Sequence, residues 1–246
     1  MFWRKTKAAI GRFHPLHQGL VFERTLSATL RPADWDSLIA SLAQHEAQVK
    51  RRKWALPPRV VTTLVPLIRV LSEDMAPTGT LGITADLRGP EAPGKAGPQR
   101  PLPVRRPVRS CVEWYAIDPW LRVRAELRDG SVLELAVVDR VRYRKIHKVN
   151  PRGKHKTKTK TKSAQRITAS RVLAKGASIR RPGSPPPPWV AVKVRGTEAG
   201  TGGRPVLRSA AKMRDVPKDL TQAERILTVA TELFRWTPPG TARRSA

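Results

Sequence analysis

Four lysines spaced two apart, Lys156, Lys158, Lys160 and Lys162, alternate with Thr157, Thr159 and Thr161. In an extended chain this spacing puts the ammonium groups on one face and the hydroxyls on the other. Before them stand Arg142, Arg144 and Lys148, with Arg152 and Lys154 in and beside the intervening turn. Cations gathered this way make or break no bonds. They hold polyanions such as the phosphates of nucleic acid, anionic lipid surfaces or acidic polysaccharides. From Arg140 to Thr197 there is no Asp or Glu, so the positive run carries no counter-charge of its own.

The turn fixes which residues meet. Asn150-Pro151-Arg152-Gly153 has Asn first, Pro second and Gly last, as a type I turn closed by a left-handed glycine prefers. Such a three-residue loop pairs Asn150 with Lys154 and makes residues 141–173 a hairpin. Its register sets Val137 opposite Ile167 and Leu135 opposite Ala169, all on one apolar face. A slip of one residue would place Val137 against Arg166. The same register sets Arg142, Arg144, Ile146 and Lys148 opposite Lys162, Lys160, Lys158 and Lys156. The expected result is a basic β-ribbon reaching roughly 27 Å, at about 3.4 Å per residue.

The Asn150-Pro151 tip between basic arms resembles the arm tip of the bacterial histone-like architectural proteins. The resemblance covers the turn and its flanking charge, while the helical dimerisation half of that family has no counterpart here. It implies a tip proline that wedges between base steps in a minor groove. Tyr143 and His147 on the ribbon are candidates for stacking on unpaired bases, which keeps RNA open beside DNA.

Other residues offer weaker chemistry. The lone Cys111 reads as a buried structural thiol. His14 and His17 lack a third ligand nearby, and His45 reads as solvated on a helix, so no metal or cofactor is expected. Glu113, Asp118, Glu126, Glu134 and Asp139 lie in the β-rich part, where strand-end carboxylates could hold Mg²⁺ in a nuclease. Glu126 and Glu134 are expected to face arginines in solvent. No nucleophile-elbow, Walker or dinucleotide fingerprint is present, and no enzyme is expected.

These residues must be carried by a folded chain. The 246 residues include 39% hydrophobic residues and seven Trp, enough for a packed core. Lys and Arg total 48 against 19 Asp and Glu, a net charge of +29. A small domain needs only about 2–8 for solubility. One cysteine, no apolar segment after the basic start and no transmembrane segment lead us to expect a cytoplasmic protein.

Alternation predicts a strand over 20–30, Pro32 opens a helix with the stripe Trp35, Leu38, Ile39, Leu42 and Val49, and a second helix starts or kinks near Pro66. Leu81, Ile83, Ala85 and Leu87 form another strand. Cys111–Ile117 and Leu121–Leu127 read as strands, with Asp129-Gly130 turning into Val132–Val149. Gly183 to Pro188 is a stiff connector. Trp189–Val194 and Val206–Met213 are further strands, and Thr221 and Glu224 box the start of a last helix.

The expectation is an α+β fold: an antiparallel β-sheet packed by two or three helices, with a long basic β-hairpin arm. The parts are 1–88, a Pro/Gly-rich linker or loop at 89–109, a β-rich part at 110–236 and a tail at 237–246. The function expected is non-enzymatic binding of nucleic acid or another polyanion with little sequence specificity. An assembly component binding a protein partner or anionic surface is the second reading, and a metal-dependent nuclease the third. The sequence sets no oligomeric state.

Overall fold

The computed structural model describes residues 2–150, 152–195, 204–212 and 220–237. The expectations placed on Pro151, Met213 and residues 238–246 fall outside them.

Eight strands form one antiparallel sheet: β1 (Thr25–Leu30), β2 (Leu81–Asp86), β3 (Arg100–Leu102), β4 (Val108–Glu126), β5 (Val132–Val149), β6 (His155–Val172), β7 (Val190–Arg195) and β8 (Val206–Lys212). Their order is β1-β2-β4-β5-β6-β8-β7, with β3 on β4. The helices are α1 (Phe2–Ile10), α2 (Pro15–Phe22), α3 (Pro32–Ala43), the short α4 (His45–Gln48), α5 (Val65–Glu73) and α6 (Gln222–Thr231). The chain is therefore a mixed α+β protein. Strands β1 and β2 join the sheet at β4, so residues from both sides of 89–109 share one sheet and one apolar cluster.

That cluster occupies one sheet face. Leu133, Leu135 and Val137 of β5 and Ile167 and Ala169 of β6 point into it at every second position. Trp35, Leu38, Ile39 and Leu42 of α3, Leu67, Ile68 and Leu71 of α5, and Ile226, Val229 and Ala230 of α6 cover them. Fully buried Trp35 donates its indole N–H to the Leu81 carbonyl at 3.0 Å, which leaves no polar atom of that ring stranded. In α6 the predicted box is complete: Thr221 N–H donates to Glu224 and Glu224 N–H to Thr221 Oγ1.

Several boundaries differ from the sequence reading. Leu20 and Phe22 belong to α2, because Pro15 takes the first turn and His14 Nδ1 accepts the Leu16 N–H to cap it. The strand starts only at Thr25, after Arg24 reverses the chain at φ +56°. The helix over 32–49 breaks at Gln44 into α3 and α4. Before Pro66, which has no N–H to give, residues Val60–Leu64 form a wider π-type turn that runs into α5. Residues 89–109, expected as a linker or loop, contain β3, and Ala96 bridges to Ala116, so this stretch lies along the edge of β4.

The two predicted strands over 111–127 are one strand with a bulge between Asp118 and Leu121. Pro119 sits in it, where a missing N–H does no harm. The bulge reverses the face assignment of β4: Ala116 and Asp118 are buried before it, Leu121, Val123 and Ala125 after it.

His45, expected to be solvated, is buried in the helical layer with His17. The helix break at Gln44 turns it inward. His17 Nδ1 lies 2.9 Å from Ser41 Oγ and its Nε2 lies 2.9 Å from His45 Nδ1, while Phe13 stacks on the His17 ring. Burial first, and the nearby His45 and His14 second, lower the His17 pKa from 6.5 to about 4. The unfolded chain takes up a proton that the folded state refuses. This contribution to stability is complete above about pH 6.5 and declines as the pH falls towards 4, by about 3 kcal/mol at most. Thermal melts from pH 7 to 4.5 should show a decline that His17→Gln makes shallower. The same decline in both proteins would count against His17 as its source.

Candidate functional site

The β5–β6 turn sets the site. Gly153 adopts φ +77° and its N–H donates to the Asn150 carbonyl at 3.0 Å. Asn150 N–H donates to the Lys154 carbonyl at 3.0 Å, and Asn150 Oδ1 accepts the Lys154 N–H at 2.7 Å. From there Lys148 pairs with Lys156, Ile146 with Lys158, Arg144 with Lys160 and Arg142 with Lys162. Even-numbered residues of both strands lie on the face away from the apolar cluster.

This ribbon is not a free two-stranded arm. Strand β4 accompanies β5 as far as the Val108–Lys148 pair, making the outer part three-stranded. The segment Val108–Ile117 supplies β-formers that pair along β5. On the other side the pairs with β8 run to Arg166–Lys212, and among the described residues no strand pairs with β6 on that side from Gln165 to His155.

Charge divides along the same line. On β5, Arg144 Nη2 donates to Glu113 of β4 at 2.7 Å and Arg142 Nε lies 3.7 Å from the same carboxylate. The hydrogen bond from Arg144 is the largest influence holding Glu113 below the usual carboxylate range. The strip is thus partly compensated at its arginines. On β6, Lys156, Lys158, Lys160 and Lys162 are exposed, as are Lys148, Arg152 and Lys154, and among the described residues no carboxylate lies within ion-pair distance of any of these seven.

Tyr143, expected as a stacking platform, is buried and stacks on Trp114 at 5.2 Å, because odd-numbered residues of β5 face inward. His147 Nδ1 lies 2.8 Å from Thr157 Oγ1.

The carboxylates of the nuclease reading are in structural pairs. Asp118 and Asp139 face each other across β4 and β5 on the inner side. Lys95 Nζ donates to Asp118 at 2.6 Å and bridges to Asp86 at 2.8 Å. Arg59 donates to Asp139 at 2.6 Å, and Gln165 does so at 2.6 Å. Glu134 pairs with Arg124 at 2.6 Å, as expected. Glu126 instead accepts from the Thr80 hydroxyl at 2.9 Å, because β2 ends alongside it. Cys111 is a buried free thiol. Among the described residues no three His, Cys, Asp or Glu come together as a metal would require, and no helix is long and apolar enough to cross a membrane.

A second feature was missed in the sequence. The sheet face opposite the apolar cluster, which no described residues cover, bends into a trough of about 1210 Å³, which residues from both outermost strands, β1 and β7, line together. Two registered rows cross it. One runs Ser27, Thr84, Arg122, Ala136, Thr168, Ala210 and Ala191; the other runs Thr29, Gly82, Arg124, Glu134, Ser170, Arg208 and Lys193. Arg166, two face positions beyond Lys162, also lines it. The signal was the Arg and Lys set beside small residues in β4, β6, β7 and β8, legible only once the strand order is known.

No protein-family model, curated protein or solved structure matches this chain.

Three directly opposed cation pairs, Arg142–Lys162, Arg144–Lys160 and Lys148–Lys156, oppose folding by roughly 0.2–1 kcal/mol each. Raising NaCl from 50 to 500 mM should therefore raise the melting temperature. Changing Lys156, Lys158, Lys160 and Lys162 to Gln should raise it at low salt and flatten the dependence. A melting curve indifferent to salt in the unaltered protein would contradict a repulsive strip.

Proposed function

We propose that this protein binds nucleic acid through phosphate contacts, with little choice of sequence and without chemistry on the bound strand. The carrying observation is the row Lys156, Lys158, Lys160 and Lys162: exposed, on one face, and without a carboxylate in ion-pair distance among the described residues. Lys148, Arg152 and Lys154 extend the row around the turn, and Arg142 and Arg144 flank it. Successive lysines stand about 6.8 Å apart, two residues at about 3.4 Å each. That spacing suits a backbone that carries a charge at every nucleotide. Phosphate contacts give affinity and register but carry no base information. The net charge of +29 adds attraction at a distance.

Among the described residues β6 has no strand partner on the side away from β5 from Gln165 to His155, which favours a second reading, strand addition by a protein partner. Edge lysines oppose pairing with any strand that is not acidic. In that case nucleic acid would not compete with the partner.

Binding titrations with RNA, DNA and anionic vesicles test the first reading. If six or more cations engage phosphates of duplex DNA, affinity should fall about 10³-fold or more between 50 and 200 mM salt. Changing Lys156, Lys158, Lys160 and Lys162 together to Glu should abolish measurable binding while the circular dichroism spectrum is kept. Glu113→Gln, which uncovers Arg142 and Arg144, should tighten binding and steepen the salt dependence by about one ion. Equal binding by the unaltered protein and the four-Glu variant would remove the ribbon from the functional account.

A further inference from the structure

We propose that the trough on the open sheet face seats double-stranded RNA, its two phosphate chains held by cations on β4 and on β8 and β7. The inference rests on the nucleic-acid reading above and assigns it a second surface and a preferred partner.

The trough has a cationic ridge on either side. Arg122 and Arg124 stand on β4; Arg208 stands on β8 with Lys193 and Arg195 beside it on β7. Between the ridges β5 and β6 contribute Ala136, Thr168 and Ser170, together with Glu134, which is paired with Arg124, and the cation Arg166. Among the described residues only Arg124 of these cations has an ion pair, with Glu134. The others are exposed without a carboxylate in reach, as is Arg166.

The geometry discriminates among nucleic acids. Three interstrand steps separate β4 from β8, or about 14 Å at roughly 4.8 Å each. Two lines of cations at that separation fit two phosphate chains on either side of a groove. A single strand needs one line of cations and an aromatic floor for its bases. Among the described residues no aromatic side chain lines the trough. The minor groove of B-DNA, about 6 Å wide, is too narrow, and its major groove, about 12 Å wide, is read by an element that protrudes into it. The trough is concave and inserts nothing. The minor groove of an RNA duplex is wide, shallow and lined by 2′-hydroxyls, which both donate and accept hydrogen bonds. The floor hydroxyls of Thr168 and Ser170, with Ser27 and Thr84 on the β1 side, match that chemistry.

The trough and the ribbon form one track. Arg166 lines the trough on the same face of β6 as Lys156, Lys158, Lys160 and Lys162. From Lys156 to Arg166 the strand runs about 34 Å. A duplex seated in the trough therefore passes under the lysines.

The test fills the trough without touching its charge. In Ala136→Trp/Ala210→Trp, two floor positions become bulky while every cation stays, and Trp suits a strand. Affinity for a 20-base-pair RNA duplex should fall at least tenfold, with the affinity for single-stranded RNA of the same length unchanged. Should that variant fail to fold by circular dichroism, Arg122→Gln/Arg208→Gln provides the same reading with the floor intact. Unaltered duplex affinity in a folded trough variant, alongside loss in the four-Glu ribbon variant, overturns the trough and leaves the nucleic-acid reading standing. Preference of the unaltered protein for DNA duplex or single-stranded RNA overturns the assignment of the occupant. Loss of binding to phosphatidylserine vesicles alone assigns the trough to lipid and overturns it likewise. No binding of any nucleic acid by the unaltered protein overturns both readings.

Discussion

Every feature of this sheet depends on one constraint of parity. Strand β5 keeps odd-numbered residues inward and even-numbered residues outward over its whole length, Val132 to Val149. Leu133, Leu135, Val137, Val141 and Tyr143 are buried by that parity, and Arg140, Arg142, Arg144 and Lys148 are kept out. A shift of one position would turn Arg140, Arg142 and Arg144 towards the apolar face and expose Val141 and Tyr143. Strand β4 could not follow β5 with a single parity. On the inner face it presents Ala116 and Asp118 before the bulge and Leu121, Val123 and Ala125 after it, and the bulge at Asp118–Leu121 reconciles the two parities.

The bulge is also where the core runs out. On its inner side lies the large cluster under the helices. Beyond it the buried apolar cluster among the described residues shrinks to Ala116, Val141 and Tyr143, with Trp114 against them. At the seam sit Asp118, Asp139 and Gln165 in one row, with Lys95 and Arg59 reaching them from the segments before β3 and α5. Arg59 also lies over the Trp120 ring at 4.4 Å. Buried charges persist only when paired, and here both carboxylates are. Their pairing spends acidic groups on the inner face and leaves the outer face positive.

Local chemistry was legible where it is dictated by residues close in the chain. The Asn150–Gly153 turn needs Asn at its start and a glycine able to take positive φ, and that alone fixed which lysine meets which arginine. The box at Thr221 and Glu224 is of the same kind. Reading failed where two local patterns competed. Residues 20–22 alternate like a strand, yet Pro15 and a His14 cap carry the chain through them as helix. His45 looked like a surface residue because its burial comes from a break in the helix, not from periodicity. The trough was out of reach for another reason. It requires β8 to lie between β6 and β7, an order that reverses the chain order of the last two strands. Nothing in residues 190–212 alone states which of the two meets β6.

The outer part of β6 shows how the fold makes the charge pattern usable. Alternating Lys and Thr carry almost nothing that a core could bury, and such a composition free in solution has no reason to order. Here each residue from His155 to Val172 has a partner on β5, and β5 is itself held by β4. The threonines contribute β-branched side chains that favour the extended backbone. Order in β6 is therefore borrowed from strands whose own order comes from the core. The result is a line of cations at fixed spacing. An ordered backbone fixes where these side chains start, so the binding proposed above would cost less backbone ordering entropy than a flexible lysine tail of equal charge would pay. Spacing, and not charge alone, then becomes a property that a partner can match.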